Sequence, residues 1–203
     1  MKQTSGTRRL TQLALLTALE LVMAFTPLGY LQVGPLSMSF LTIPVAVGAL
    51  LLGPGAGALL GAVFGATSFF QAVQGTSALG AALFAISPAG SFVVCFVARV
   101  LVGLCCGLVY AGLRKVLPGN DKVCVTVGAF STSFLNTVFF MGALVLIFYG
   151  SDYVQNMVRT LGVSNPLMFV VAVVGVQAVV EWVCCCLVAA AVTLPLKKFL
   201  KAN

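Results

Sequence analysis

The sequence predicts an all-α integral membrane protein, a bundle of six transmembrane helices with both termini in the cytoplasm. Three observations lead to this fold class. First, 61% of the residues are hydrophobic and only 7% are charged, whereas a soluble domain carries roughly 25% charged residues. Second, the apolar segments approach the length of about 20 residues that crosses a hydrocarbon core. Third, basic residues cluster at the ends of these segments, which is typical of cytoplasmic connections.

Six apolar segments divide the chain, and we treat residues 1–203 as a single transmembrane domain. Proline begins the third, fourth and sixth segments, where a first helical turn tolerates a missing N–H. The second segment is short for a full crossing. The predicted spans cover about 9–25, 40–52, 54–73, 88–113, 123–149 and 166–194.

The distribution of charge predicts the orientation. Basic clusters precede the first span, lie in the connection that ends at Lys122, and close the chain. The only charged residues in the three opposite connections are Asp152 and Arg159, so both termini are expected on the cytoplasmic side. The expected location is the bacterial plasma membrane. There is no basic stripe with interleaved aromatic residues, and nucleic acid is therefore not an expected partner.

Motifs for energy conversion or chemistry are missing from the sequence. There is no phosphate-binding GxxxxGK[ST] loop, no GxSxG and no histidine, and the seven cysteines form no CxxC pair. We read the cysteines as small apolar residues. We therefore expect no metal, no cofactor and no enzymatic activity.

A glycine ladder begins the third span. Gly53, Gly57, Gly61 and Gly65 recur every four residues, and small residues at this spacing form a flat face that another helix can approach closely. Close packing within the bundle is the favoured interpretation.

Three charged residues fall inside predicted spans, where charge is costly and usually functional. Glu20 lies in the first span, Arg99 in the fourth and Glu181 in the sixth. Arg99 and Glu20 are expected at similar depth in the membrane. Either the two side chains form a buried ion pair, or Arg99 faces a cavity. In a cavity, the planar guanidinium fork suits a carboxylate on a ligand.

Uncharged polar residues gather near the same side of the predicted bundle. Each alone could be a hydrogen bond between helices, but together they suit a polar, mostly neutral small molecule. The predicted substrate-binding residues are Gln71, Gln74, Ser87, Arg99, Asn136, Gln177 and Glu181.

The first connection, TPLGYLQVGPLSMSFLTIP, carries no charge although it links two spans. A neutral, partly apolar loop can lie against an apolar bundle without the cost of desolvating charges. We expect it to close a cavity mouth as a lid. The predicted lid residues are Tyr30, Gln32, Pro35, Ser37 and Phe40.

Three stretches together resemble a known family. The first span carries Ala14-x-x-x-Ala18, the fifth contains FLNTVFF, and the block from TPLGYL to SFFQ matches the family's first loop with its second and third spans. The chain resembles the substrate-binding S components of energy-coupling factor (ECF) vitamin transporters, especially the riboflavin- and pantothenate-type branch.

The resemblance implies a subunit that binds one vitamin near the outer surface and has no ATPase of its own. Its expected partners are the lipid bilayer, a transmembrane coupling subunit and two cytoplasmic ATPase subunits. Ala14 and Ala18 are expected to form part of the docking face for the coupling subunit.

Pantothenate is the expected vitamin, because Arg99 suits its carboxylate and the other polar groups suit its hydroxyls and amide. Folate, riboflavin, a pyridoxine-like compound and a cobalamin-type cargo are the alternatives. A non-transporting membrane scaffold, such as a cell-shape protein, is the alternative of another class, and it would leave the polar residues scattered. A membrane-embedded enzyme is least favoured, because acid–base groups and metal ligands are scarce.

Overall fold

A computed structural model of the chain describes residues 5–33 and 36–202. In this part the chain is almost entirely helical, as predicted. Its elements are α1 (Ser5–Ala24), β1 (Tyr30–Val33), β2 (Leu36–Ser39), α2 (Thr42–Leu52), α3 (Pro54–Gln74), α4 (Ala78–Ile86), α5 (Pro88–Val116), α6 (Asp121–Phe148), α7 (Asp152–Leu161) and α8 (Pro166–Ala202).

Four described helices are long and apolar enough to cross a membrane: α3, α5, α6 and α8 as far as Phe199. Helix α1 has 20 residues, but Arg8, Arg9 and Glu20 lower its apolar character. Helix α2 has only 11 residues, about 16 Å at the usual rise, and it is buried on nearly every side. The prediction of a helical membrane protein is confirmed, whereas the count of six spans stays a prediction.

The three connections predicted on the outer side contain regular structure. Strands β1 and β2 form an antiparallel hairpin in which Tyr30 pairs with Ser39. Helix α4 follows α3, and the hydroxyl of Ser77 caps its first turn by accepting the Gly80 N–H. Helix α7 is amphipathic and buries Val154 and Val158 in a cluster shared with α4, α6 and α8. The hairpin, α4 and α7 therefore belong to the folded body of the protein.

Helix α5 contains one turn of π-helix at Val93–Val97, between the α-helical segments Pro88–Phe92 and Ala98–Val116. A π-turn inserts one extra residue per turn, which changes the direction of the side chains that follow it, and such turns are frequent at functional sites. Arg99 is the second residue after this turn.

The glycine ladder packs α3 directly against the backbone of α5. A Cβ atom built on Gly57 would overlap the carbonyl oxygen of Gly103, and one built on Gly61 would overlap the carbonyl oxygen of Arg99. The Cβ of an alanine at position 65 would lie 2.8 Å from the Cα of Phe96. The predicted packing role is thus confirmed for these three ladder positions. Gly53 differs, because it joins α2 to α3 with a φ of 94°.

A polar cluster joins three helices at the opposite end of the bundle from the hairpin. The Lys197 ammonium donates to Asp121 Oδ1 at 2.6 Å and to the Tyr110 hydroxyl at 2.7 Å. Arg114 lies 3.9 Å from the same carboxylate oxygen. The cluster ties the ends of α5, α6 and α8 together.

We expect Gly61→Ala to destabilise the fold by about 1–3 kcal/mol, because the added methyl meets backbone atoms that cannot rotate away. Gly142→Ala is the matched control, since a Cβ at Gly142 meets nothing within 4 Å. The measurement is the apparent melting temperature of each purified variant in detergent. Equal melting temperatures for the two variants would contradict the packing role of the ladder.

Candidate functional site

A cavity of about 610 Å³ lies under the hairpin and α4, between α3, α5, α6 and α8. Its wall is mixed, with apolar side chains such as Phe140 and Met141 beside many amides, hydroxyls and two charged groups. Six of the predicted substrate-binding residues line it: Gln71, Gln74, Arg99, Asn136, Gln177 and Glu181. The structure therefore brings together side chains that are more than a hundred residues apart in sequence.

The seventh predicted residue, Ser87, lies elsewhere. Its hydroxyl accepts the Gly90 N–H at 3.2 Å and caps the start of α5. Ser77, at the start of α4, lines the cavity, as do Ser39 and Ser68.

Arg99 is buried in the cavity wall, with 7% of its surface exposed. Its Nη1 donates to the carbonyl oxygen of Val94, in the π-turn, at 2.8 Å. The guanidinium carbon lies 4.4 Å from the ring centroid of Phe140 and 5.1 Å from that of Phe64, and both rings attract the cation through their π faces. Two rings and one carbonyl therefore hold the guanidinium in a defined position.

No acidic side chain in the described ranges forms an ion pair with Arg99. The ion pair with Glu20, one of the two expected alternatives, is not formed. Glu20 is fully buried, and neither of its carboxyl oxygens has a hydrogen-bond partner among the described residues. Arg99 Nε is likewise buried without a partner in this part of the chain. A buried guanidinium with unused donors is a ready binding group for an anion.

Glu181 lies on another part of the cavity wall and links three elements. One carboxyl oxygen accepts the backbone N–H of Ser39, at the end of β2, at 3.4 Å. The other accepts from the amide of Asn136, on α6, at 3.4 Å. Glu181 thereby connects the hairpin, α6 and α8 beside the cavity.

Among the hairpin residues whose side chains are described, Tyr30 and Ser39 line the cavity. Burial raises the pKa of Tyr30 to about 12, so its hydroxyl keeps its proton at neutral pH and can donate. Phe40 is half-buried and does not line the cavity; its N–H donates to the Gly29 carbonyl at 2.9 Å.

The other predicted lid residues are described less fully. Gln32 and Ser37 face each other as a backbone pair in the hairpin. Pro35 lies outside the described residues.

The cavity lining also includes residues outside the predicted set, among them Ser39, Thr137 and Phe140. Phe140 lies four residues after Asn136 on the same helix face, so helical spacing from Asn136 could have found it. Thr137 directly follows Asn136 and is turned by about 100° from it, so the same spacing does not find Thr137. Nothing in the sequence around Ser39 indicates its position beside Glu181.

The described residues hold no group of three or more His, Cys, Asp or Glu side chains that could bind a metal ion. All seven cysteines lie in the described ranges and are free thiols, and Cys95 is the one that lines the cavity.

The family to which the chain belongs follows from a comparison with protein-family models. The family described as "ECF transporter, substrate-specific component" matches residues 8–193, which is most of the chain. The chain is an ECF transporter S component. A search of curated proteins gave no match. Membership in this family, together with the apolar helices, makes the chain a multi-pass plasma membrane protein. It is a vitamin-type substrate-binding subunit of an ECF importer, and thus a transporter subunit and not an enzyme.

In this S component, α1 presents an apolar face away from the bundle. Ala14 and Ala18, one helical turn apart, are both exposed. Larger side chains flank them, with Leu10 exposed at 68% and Leu15 at 71%. Small residues between larger ones leave a shallow depression in which a partner helix can pack.

Proposed function

We propose that this S component binds pantothenate, or a closely related hydroxylated carboxylate, in the cavity around Arg99. The observation that carries the proposal is Arg99 itself, buried in the cavity wall, oriented by two aromatic rings and without an acidic partner among the described residues. A buried cation inside a membrane protein is costly unless an anion or several acceptors compensate it. The ligand's carboxylate is the proposed compensation.

The size and polarity of the cavity support a small polar ligand. Its 610 Å³ lies within the range of about 300–1,000 Å³ that is usual for small-molecule sites. The amides of Gln71, Gln74 and Gln177 supply donors and acceptors that match the amide and hydroxyls of pantothenate. The hairpin is proposed to act as the lid that admits the ligand and then closes.

The proposed topology places α1, α2, α3, α5, α6 and α8 in the membrane and both termini in the cytoplasm. The polar cluster around Lys197 and the hairpin lie at opposite ends of the bundle, which agrees with a basic cytoplasmic end and an outer ligand site. A transmembrane coupling subunit with two cytoplasmic ATPases is proposed to dock on the face that exposes Ala14 and Ala18.

Arg99→Gln is expected to weaken pantothenate binding by about 100-fold, which corresponds to about 2.7 kcal/mol, because it removes a charge-assisted hydrogen-bond donor to the carboxylate. Binding of panthenol, the neutral alcohol analogue, is expected to change by less than about threefold. Calorimetric titration of both ligands into wild type and variant measures the two effects. An equal loss for both ligands would mean that Arg99 acts through the structure and not through the carboxylate.

Ala14→Trp and Ala18→Trp are expected to abolish vitamin uptake by cells while leaving ligand affinity of the purified protein unchanged, because the bulk blocks the coupling subunit and not the cavity. Val176→Trp is the control, since Val176 is 83% exposed on α8. Radiolabelled uptake and calorimetry give the two measurements. Loss of affinity in the alanine variants would argue against a docking face.

A further inference from the structure

The cavity wall contains an acceptor pole, which we define as Glu181, Asn136 and Ser39. All three side chains are at least nine-tenths buried, and all three line the cavity. The carboxylate of Glu181 accepts from the other two residues at 3.4 Å each, through the Asn136 amide and the Ser39 backbone N–H. The pole comes from the hairpin, α6 and α8, whereas Arg99 comes from α5.

Two polar atoms of the acceptor pole are left without a partner in the described ranges. They are the side-chain carbonyl oxygen of Asn136 and the hydroxyl oxygen of Ser39, and both are buried. A buried polar atom without a partner is destabilising, so such atoms are rare in folded proteins and mark places where a ligand or a water can bind. Here the two atoms lie beside a carboxylate whose existing hydrogen bonds are long.

The chemistry of the pole selects for hydrogen-bond donors. An ionised carboxylate and an amide oxygen only accept hydrogen bonds. The carboxyl group of Glu181 forms no ion pair with Arg99, although the two groups share one cavity. The cavity therefore offers a ligand one cationic group and, separately, one cluster of acceptors.

Resting on the proposed function, we infer that the acceptor pole binds the hydroxyl groups of the ligand while Arg99 binds its carboxylate. The ligand class is then an acid that carries hydroxyl donors at the end remote from its carboxylate. This arrangement directs the hydroxyl end toward Ser39 and the hairpin. Glu181 becomes a specificity-determining residue, because an analogue without hydroxyls cannot complete the hydrogen bonding of the pole, where the Asn136 carbonyl oxygen and the Ser39 hydroxyl have no partner among the described residues.

A purely structural role for Glu181 makes a different prediction. If Glu181 only fastens the hairpin to α8, removing its charge weakens the binding of every ligand that the hairpin covers. If it binds hydroxyls, the loss depends on whether the ligand has them. The two roles separate when one variant is compared with two ligands.

The experiment is calorimetric titration of the purified full-length chain with pantothenate and with the analogue in which hydrogen replaces both hydroxyls. Glu181→Gln is expected to weaken pantothenate binding by about 10- to 100-fold, since a charge-assisted hydrogen bond becomes a neutral one. Its effect on the analogue is expected to stay below about threefold. Glu20→Gln is the matched control, because Glu20 is a buried carboxylate that does not line the cavity, and it is expected to change neither affinity.

An equal loss for the two ligands in Glu181→Gln would overturn the inference and leave the proposed function standing. Wild-type protein that is folded and binds neither ligand would instead refute the proposed function. The melting temperature of each variant without ligand shows whether its fold is intact. A variant with hydroxyl-dependent loss and an unchanged melting temperature supports the acceptor pole.

Discussion

The contact between the backbones of α3 and α5 is the constraint on which the site depends. Glycine at positions 57 and 61 lets the two helices approach until no side chain fits between them. The carbonyl oxygen of Arg99 lies in that contact, so the α-carbon of Arg99 is held by the packing of two long helices. The π-turn just before it then directs the side chain toward the cavity, where Val94 and Phe140 hold the guanidinium. A site placed on rigid helices keeps its geometry when a neighbouring loop moves.

The energetics of charge explain why this site is suited to an anionic ligand. Helix packing in a membrane draws little from the hydrophobic effect, so each buried polar group must find its own compensation. Arg99 has a carbonyl and two ring faces but no described acid within ion-pair distance. Glu181 has two donors and also lines the cavity. Arg99 and Glu181 form no ion pair across the cavity, and a ligand that complements both gains from the desolvation already spent in folding.

Much of the fold could be predicted because hydropathy, proline positions and glycine spacing report on single segments. The long spans and six cavity residues followed from them, since a polar residue in an apolar span has few reasons to be there. The short helices α4 and α7 and the hairpin could not be predicted, because contacts to distant segments decide their conformation. Ser39 illustrates this limit: its neighbour Glu181 is 142 residues away. Glu20 and Arg99 likewise form no ion pair, because ion pairing depends on how α1 and α5 are rotated about their axes. Similar depth in the membrane does not determine that rotation.

The most direct test of the central claim is a thermal-shift screen of the purified, ligand-free protein against a panel of vitamins. The panel contains acids, neutral compounds and cations, so it reports which charge the cavity selects. A ligand at a thousand times its dissociation constant stabilises the native state by about 4 kcal/mol, which gives a clear rise in melting temperature. Our account predicts such a rise with a hydroxylated carboxylate. Stabilisation by a cationic vitamin alone, or by no member of the panel, would contradict it.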